Sequence, residues 1–135
     1  MIVVFIAVPV ILLVVLYYLF PILKIEGDSM YPTLKEGDYL LATRVFNRYG
    51  MKKGHIYVFR SPADKNRYLI KRLTHECECA YNGPPWRIQM AYFFVGDNLG
   101  DSYDSRNFGW VDQSAIIAEV IFPKKLLTKG DTLHG

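Results

Sequence analysis

The run MIVVFIAVPVILLVVLYYLFPIL, residues 1–23, has no charged side chain before Lys24. A bilayer offers no water to backbone amides, so an uncharged stretch of this length must satisfy them internally, as a helix. About 20 apolar residues cross the hydrocarbon core. Tyr17, Tyr18 and Phe20 stand near the end of the run, where amphipathic rings suit the headgroup level. Pro9 is expected to kink the helix, which a membrane span tolerates. A cleavable targeting segment needs a basic start, a shorter apolar core and a small-x-small exit. This run has no Lys or Arg ahead of it and leaves through Tyr-Tyr-Leu-Phe-Pro. A buried core helix is the bland alternative. The run reads as a retained, single-pass anchor over 1–23, and the short N-terminal side offers the positive-inside rule nothing to count.

That run accounts for the high apolar content, 51% of 135 residues. The rest, 24–127, suffices for one modest domain, with 128–135 read as a frayed tail. A net charge of +3 implies solubility or mild attraction to anionic lipid. No basic stripe with interleaved aromatics points to nucleic acid. Beyond the anchor there is no amphipathic helical stretch of useful length. Short β-branched and aromatic runs alternate instead with Gly/Pro/Asn/Asp clusters. They cover Tyr39–Val45, His55–Arg60, Arg67–Leu73, Arg87–Val95 and Ala115–Phe122, and each reads as a strand. The expected architecture is mainly β, a compact antiparallel barrel or sandwich.

Chemistry enters at GDSMYPTLKEGD, Gly27–Asp38. Gly27 frees the backbone before Ser29, and Pro32 prevents a helix through it, so the serine is expected on a sharp turn. A serine needs a base to become a nucleophile. His55 begins a strand, His75 falls in a poorly defined loop and His134 lies on the tail; none has an acid at a recognisable spacing. In YLIKRL, a two-residue period places Lys71 with Leu69 and Leu73 on one face. If that face is buried, desolvation lowers the pKa of the amine and leaves it able to take a proton. Arg72 is expected to point the other way and stay charged. The alternative for Lys71 is an edge-strand lysine that snorkels to water. The block GDNLGDSYDSRNFGWV, Gly96–Val111, is either a hydrophilic loop or a scaffold of acids and an arginine holding another part of the chain.

Together these blocks resemble the type I signal peptidases, membrane-bound Ser-Lys peptidases. Ser29-Met30-x-Pro32-Thr33-Leu34 with Gly37-Asp38 resembles the nucleophile box. Gly54–Arg60 resembles the next strand, with His55 where an aspartate is usual. Lys71-Arg72 resembles the general-base box, and Gly96-Asp97-Asn98 with Ser102, Asp104-Ser105-Arg106 and Gly109 resembles the C-terminal box. They follow an N-terminal anchor in the family's order. The resemblance implies a signal-peptidase-like β core on the extracytoplasmic face and no cofactor or metal. Its substrates would be pre-proteins bearing signal peptides, with the bilayer and the export machinery as partners. It implies Ser29 as nucleophile, Lys71 as general base and Ser102 as the hydroxyl that aims the amine. Asp97 would brace Arg72, Asp104 would brace Arg106, and Met30 would line the site. The oxyanion would rest on the Ser29 backbone in the Gly27 region. Tyr31, Leu34, Phe59 and Trp86 are candidates for lipid or substrate contact, or for core. A conjugative-transfer or organelle-type peptidase and a catalytically silent β scaffold are the alternatives.

Three departures stand out. Some members carry a hydroxyl where this chain has Gly27. After Lys71-Arg72 the chain runs Leu73-Thr74-His75-Glu76-Cys77-Glu78-Cys79 instead of a Gly/Pro turn, and it lacks a large inserted β domain. His75, Cys77 and Cys79 invite a metal reading, but no second ligand pair follows at zinc spacing. A Cys77–Cys79 bond needs a tight, strained turn. Free half-buried thiols or such a bond are the expectations.

Overall fold

The computed structural model describes residues 1–48, 50–80 and 88–122, and the side chains of all of these but 79, 80, 88 and 89. The strand start expected at Arg87, the contact expected of Trp86 and the tail expected over 128–135 lie outside the described residues. Helix α1, Ile2–Leu19, contains Pro9 and buries none of its side chains. Its mean hydropathy is 3.0, long and apolar enough to cross a membrane. The apolar run is longer than the helix, because Pro21 cannot continue it and disfavours helical backbone at Phe20.

The end of α1 is tied to the domain by Arg44. Its Nε donates to the Tyr18 carbonyl at 2.9 Å, its guanidinium lies 4.7 Å from the Tyr18 ring centre, and its N–H donates to the Leu19 carbonyl at 2.8 Å. The last carbonyls of a helix lack partners within it and carry partial negative charge, so a cation there satisfies both needs. The chain then turns directly into a strand, β1, Ile22–Lys24. The last residues of the apolar run therefore belong to the sheet.

Six further strands follow: β2 Tyr39–Thr43, β3 Ile56–Arg60, β4 Tyr68–Ala80, β5 Ile88–Val95, β6 Val111–Asp112 and β7 Ile116–Phe122. They form one antiparallel sheet in the order β1-β2-β7-β3-β4-β5-β6. A one-turn helix, α2, Ser105–Phe108, precedes β6. The β-rich antiparallel core matches the expected fold class.

Both faces of the central strands are covered, which is why IYVF in β3 is apolar without alternation. Ile56 and Val58 pack with Leu40, Ala42, Ala118 and Val120, beneath Ile25, Met30 and Leu34 from the serine-bearing segment. Tyr57 and Phe59 pack with Leu69, Leu73, Tyr92 and Phe94. Leu34 is wholly buried and Met30 nearly so. Each such side chain contributes on the order of 2 kcal/mol, so the serine-bearing segment is seated as core, not as a free loop.

β4 runs seven residues past the strand expected from RYLIKRL, and His75 lies within it, not in a loop. Glu76 and Glu78 look like loop residues, but β5 pairs them, Glu76 with Tyr92 and Glu78 with Met90, after a bulge between Leu73 and His75. Partners on a neighbouring strand supply what the charged stretch lacks. Cys77 is half-buried on this strand, opposite Ala91. Among the described residues no group of three or more His, Cys, Asp or Glu is placed to hold a metal.

Candidate active site

Ser29 sits in the turn after Gly27, whose φ of +76° is a backbone region that favours glycine. Asn98 holds the turn at two points. Its N–H donates to the Ser29 carbonyl at 3.0 Å, and its side-chain amide donates to the Asp28 carbonyl at 3.0 Å. Thr33 Oγ1 donates to Asp97 Oδ2. Neither Asn98 nor Thr33 had a role in the sequence reading. Their only signal was membership of the boxes that carry the resemblance, Thr33 in the nucleophile box and Asn98 in the C-terminal box.

Lys71 enters from β4, and its Nζ donates to Ser29 Oγ at 2.6 Å. The two-residue period holds: Leu69, Lys71 and Leu73 are all buried, Lys71 at 4% exposure. Burial lowers its pKa to about 8, Asp104 pulling upward and Arg67 downward. The opposite face of β4 is not left to solvent. Arg72 is 2% exposed and donates from Nε and NH2 to the two oxygens of Asp97 at 2.8 and 2.6 Å, with NH1 on the Gly54 carbonyl at 2.5 Å. A fork matched to a carboxylate is the arrangement a buried guanidinium needs.

Asp104 is fully buried. Burial pushes its carboxyl up, but hydrogen bonds from Arg106, Gly96 and Ser102 outweigh this and hold it at about 2. Arg106 grips it through Nε and NH2 at 2.9 and 2.8 Å, and it caps α2 by accepting from the Arg106 N–H. Ser102 Oγ donates to Asp104 Oδ2 at 2.7 Å. Gly96 lies against both: a Cβ there would collide with Ser102 Oγ and the Ser29 carbonyl. His55 lies apart, its Nδ1 2.7 Å from Glu119 Oε1 on β7.

A cleft of about 730 Å³ opens in front of the pair, lined by Ser29, Lys71, Met30, Val58 and Ile70. Beside it, Tyr68–Lys71 pair with β3 on one side only, while β5 begins pairing at Arg72. The other edge of those four residues has no partner strand among the described residues. The site thus joins a hydroxyl, a partly dehydrated amine and an unpaired strand edge, the elements of a peptide hydrolase.

The chain matches the family described as signal peptidase, peptidase S26, over residues 1–74 and 87–124, and it belongs to that family. It is therefore a protease of that family associated with membranes. It is similar to the mitochondrial inner membrane protease subunit 1 of Schizosaccharomyces pombe, 30% identical over 77% of this chain and 73% of that protein. It is likewise similar to the mitochondrial ATP-independent inner membrane protease subunit 1b of Arabidopsis thaliana, 37% identical over 71% of this chain and 64% of that one. Signal peptidase I of Bacillus amyloliquefaciens is 37% identical over 82% of this chain and 78% of its own length. The family match leaves out residues 75–86 and 125–135.

Proposed function

We propose that the protein is a membrane-anchored serine endopeptidase that removes N-terminal signal peptides from pre-proteins reaching it through the same bilayer, on the extracytoplasmic side. The observation that carries this reading is the 2.6 Å contact between Lys71 Nζ and Ser29 Oγ, with the amine buried. Neutral Lys71 takes the hydroxyl proton as Ser29 Oγ attacks the scissile carbonyl carbon. The C–N bond breaks as Lys71 returns that proton to the leaving amine. Water, deprotonated by Lys71, then attacks the acyl carbon, and the ester C–O bond breaks as Lys71 returns that proton to Ser29 Oγ. Among the described residues nothing accepts from the Ser29 N–H, which leaves that donor for the oxyanion, worth about 3 kcal/mol where such donors have been removed.

The peptide lies extended along the unpaired edge of Tyr68–Lys71, its main chain completing the sheet. From Tyr68 to Lys71 is three residue steps, about 10 Å of strand. Sharing the bilayer with its substrate confines the search and raises effective concentration. The likeness to mitochondrial inner membrane protease subunits supports a second reading, an organelle-type processing peptidase working beside a partner subunit. The chemistry is the same; the substrates differ.

The test is cleavage of a pre-protein by the full chain in detergent. Ser29→Ala and Lys71→Met are each expected to reduce turnover to background while circular dichroism stays unchanged. Near wild-type cleavage by either variant would end the proposal.

A further inference from the structure

We propose that the end of the sheet from which the anchor leaves is a binding surface for anionic phospholipid headgroups. The register fixes which residues share that end. β2 and β3 both pair antiparallel with β7, Thr43 opposite Glu119 and Val58 opposite Ala118, so their C-terminal ends lie at the same edge. At the end of β2, Arg44 holds the last turn of α1. At the end of β3 is Arg60, paired with Tyr68. The connection between them carries Asp64, Lys65 and Arg67.

Arg60, Lys65, Arg67 and Tyr68 are all exposed. Among the described residues none of the three cations is in an ion pair. The one acid of the connection, Asp64, accepts from the Asn66 N–H. With Arg44 this makes four cations at one end of the sheet, with Asp64 the one acid of the connection. Arg44, Arg60 and Arg67 also line the cleft in front of Ser29 and Lys71, whose acids, Glu26, Asp28 and Asp101, come from the segments carrying Ser29 and Ser102. Tyr17 and Tyr18 are exposed on the last turn of α1, and Tyr68 adds a third ring beside Arg67. An apolar helix leaving the sheet here carries this edge to the membrane surface, where guanidinium, ammonium and phenol groups meet phosphate. Charge complementarity and continuity with the anchor select an anionic lipid as the occupant. The inference rests on the anchor and the register, not on the Ser29–Lys71 chemistry.

Each cation near an anionic surface strengthens binding about fivefold, so three together are worth on the order of a hundredfold. Exposed charges are screened, so the effect must shrink as salt rises above about 0.15 M. The test uses the full chain in neutral detergent micelles with phosphatidylglycerol and phosphatidylcholine in competition, the bound lipid quantified by native mass spectrometry. The wild type is expected to retain phosphatidylglycerol preferentially. The variant Arg60→Gln/Lys65→Gln/Arg67→Gln, with the anchor and Arg44 intact, is expected to lose that preference. Equal retention of the two lipids by the wild type overturns the proposal, as does an unchanged preference in the variant. A parallel cleavage assay compares peptides with acidic or neutral residues upstream of the cut. If the variant alters only that discrimination and keeps its lipid preference, the cations serve an acidic peptide and the lipid site is refuted.

Discussion

Ser102 Oγ donates to Asp104 Oδ2 at 2.7 Å, and the charge of that same carboxylate acts on Lys71. Asp104 therefore opposes the burial that lowers the lysine. Its own carboxyl, at about 2, stays ionised wherever the enzyme works. Asp104→Asn preserves the shape and can still accept from Ser102, but it removes the charge. The acidic limb of the pH dependence of kcat/KM is expected to move below its wild-type position. A limb that stays in place or moves up would show that Asp104 acts only as a brace for Arg106.

In the wild type that limb should fall near pH 8, where Lys71 titrates. The base must be neutral, so kcat/KM drops about tenfold per pH unit below the pKa and levels off above it. At pH 7 roughly a tenth of the amine is neutral. The stability sign follows separately. The folded pKa lies below the ordinary 10.5, so between about 8 and 10.5 the unfolded chain binds more protons and the contribution of Lys71 to stability rises with pH. Rate against pH for the full chain checks the first statement. A profile flat from about pH 6 to 10 would falsify the assignment of Lys71 as base.

Much of this site was legible because its residues obey local rules. Ser29 follows a glycine with positive φ, and Lys71 alternates with two leucines. What was not legible depends on contacts across the sheet. Arg72 points away from Lys71 as the two-residue period requires; in a sheet covered on both faces that second face of β4 is buried too, and partners distant in sequence, Asp97 25 residues away and the Gly54 carbonyl, make this tolerable. The continuation of β4 through Glu76 and Glu78 rests on partners in β5. β1 was hidden because an apolar strand directly after an apolar helix changes nothing in composition. Asn98 and Thr33 gained roles only when a distant segment arrived beside them.

Asp97→Ala tests the buried pair. Arg72 and Asp97 have side-chain exposures of 3% and 6%, so truncating the acid strands a charge with little access to water. Such losses cost about 3–5 kcal/mol, to be read from the urea midpoint with the slope unchanged. Thr33 loses its acceptor in the same variant, so the serine-bearing segment loosens. The turnover of the remaining folded protein should fall as well. A shift below about 1 kcal/mol would place this pair with ordinary surface salt bridges.

Gly96→Ala tests the close approach that brings the C-terminal block to the nucleophile. The new methyl would meet the Ser102 hydroxyl and the Ser29 carbonyl. One is a side-chain tip that can rotate away, at the cost of its bond to Asp104. The other is backbone, held by the Asn98 N–H at 3.0 Å, and must move bodily. Overpacking of this kind typically costs about 1–3 kcal/mol, leaving a folded protein. The damage should therefore show mainly in catalysis: a displacement of Ser29 by a fraction of an ångström lengthens its contact with Lys71. The expected outcome is a fall in kcat of at least tenfold with KM little changed, since the strand edge at Tyr68–Lys71 that would hold the peptide is untouched. Full activity in Gly96→Ala would mean that the two segments are not in the tight register described.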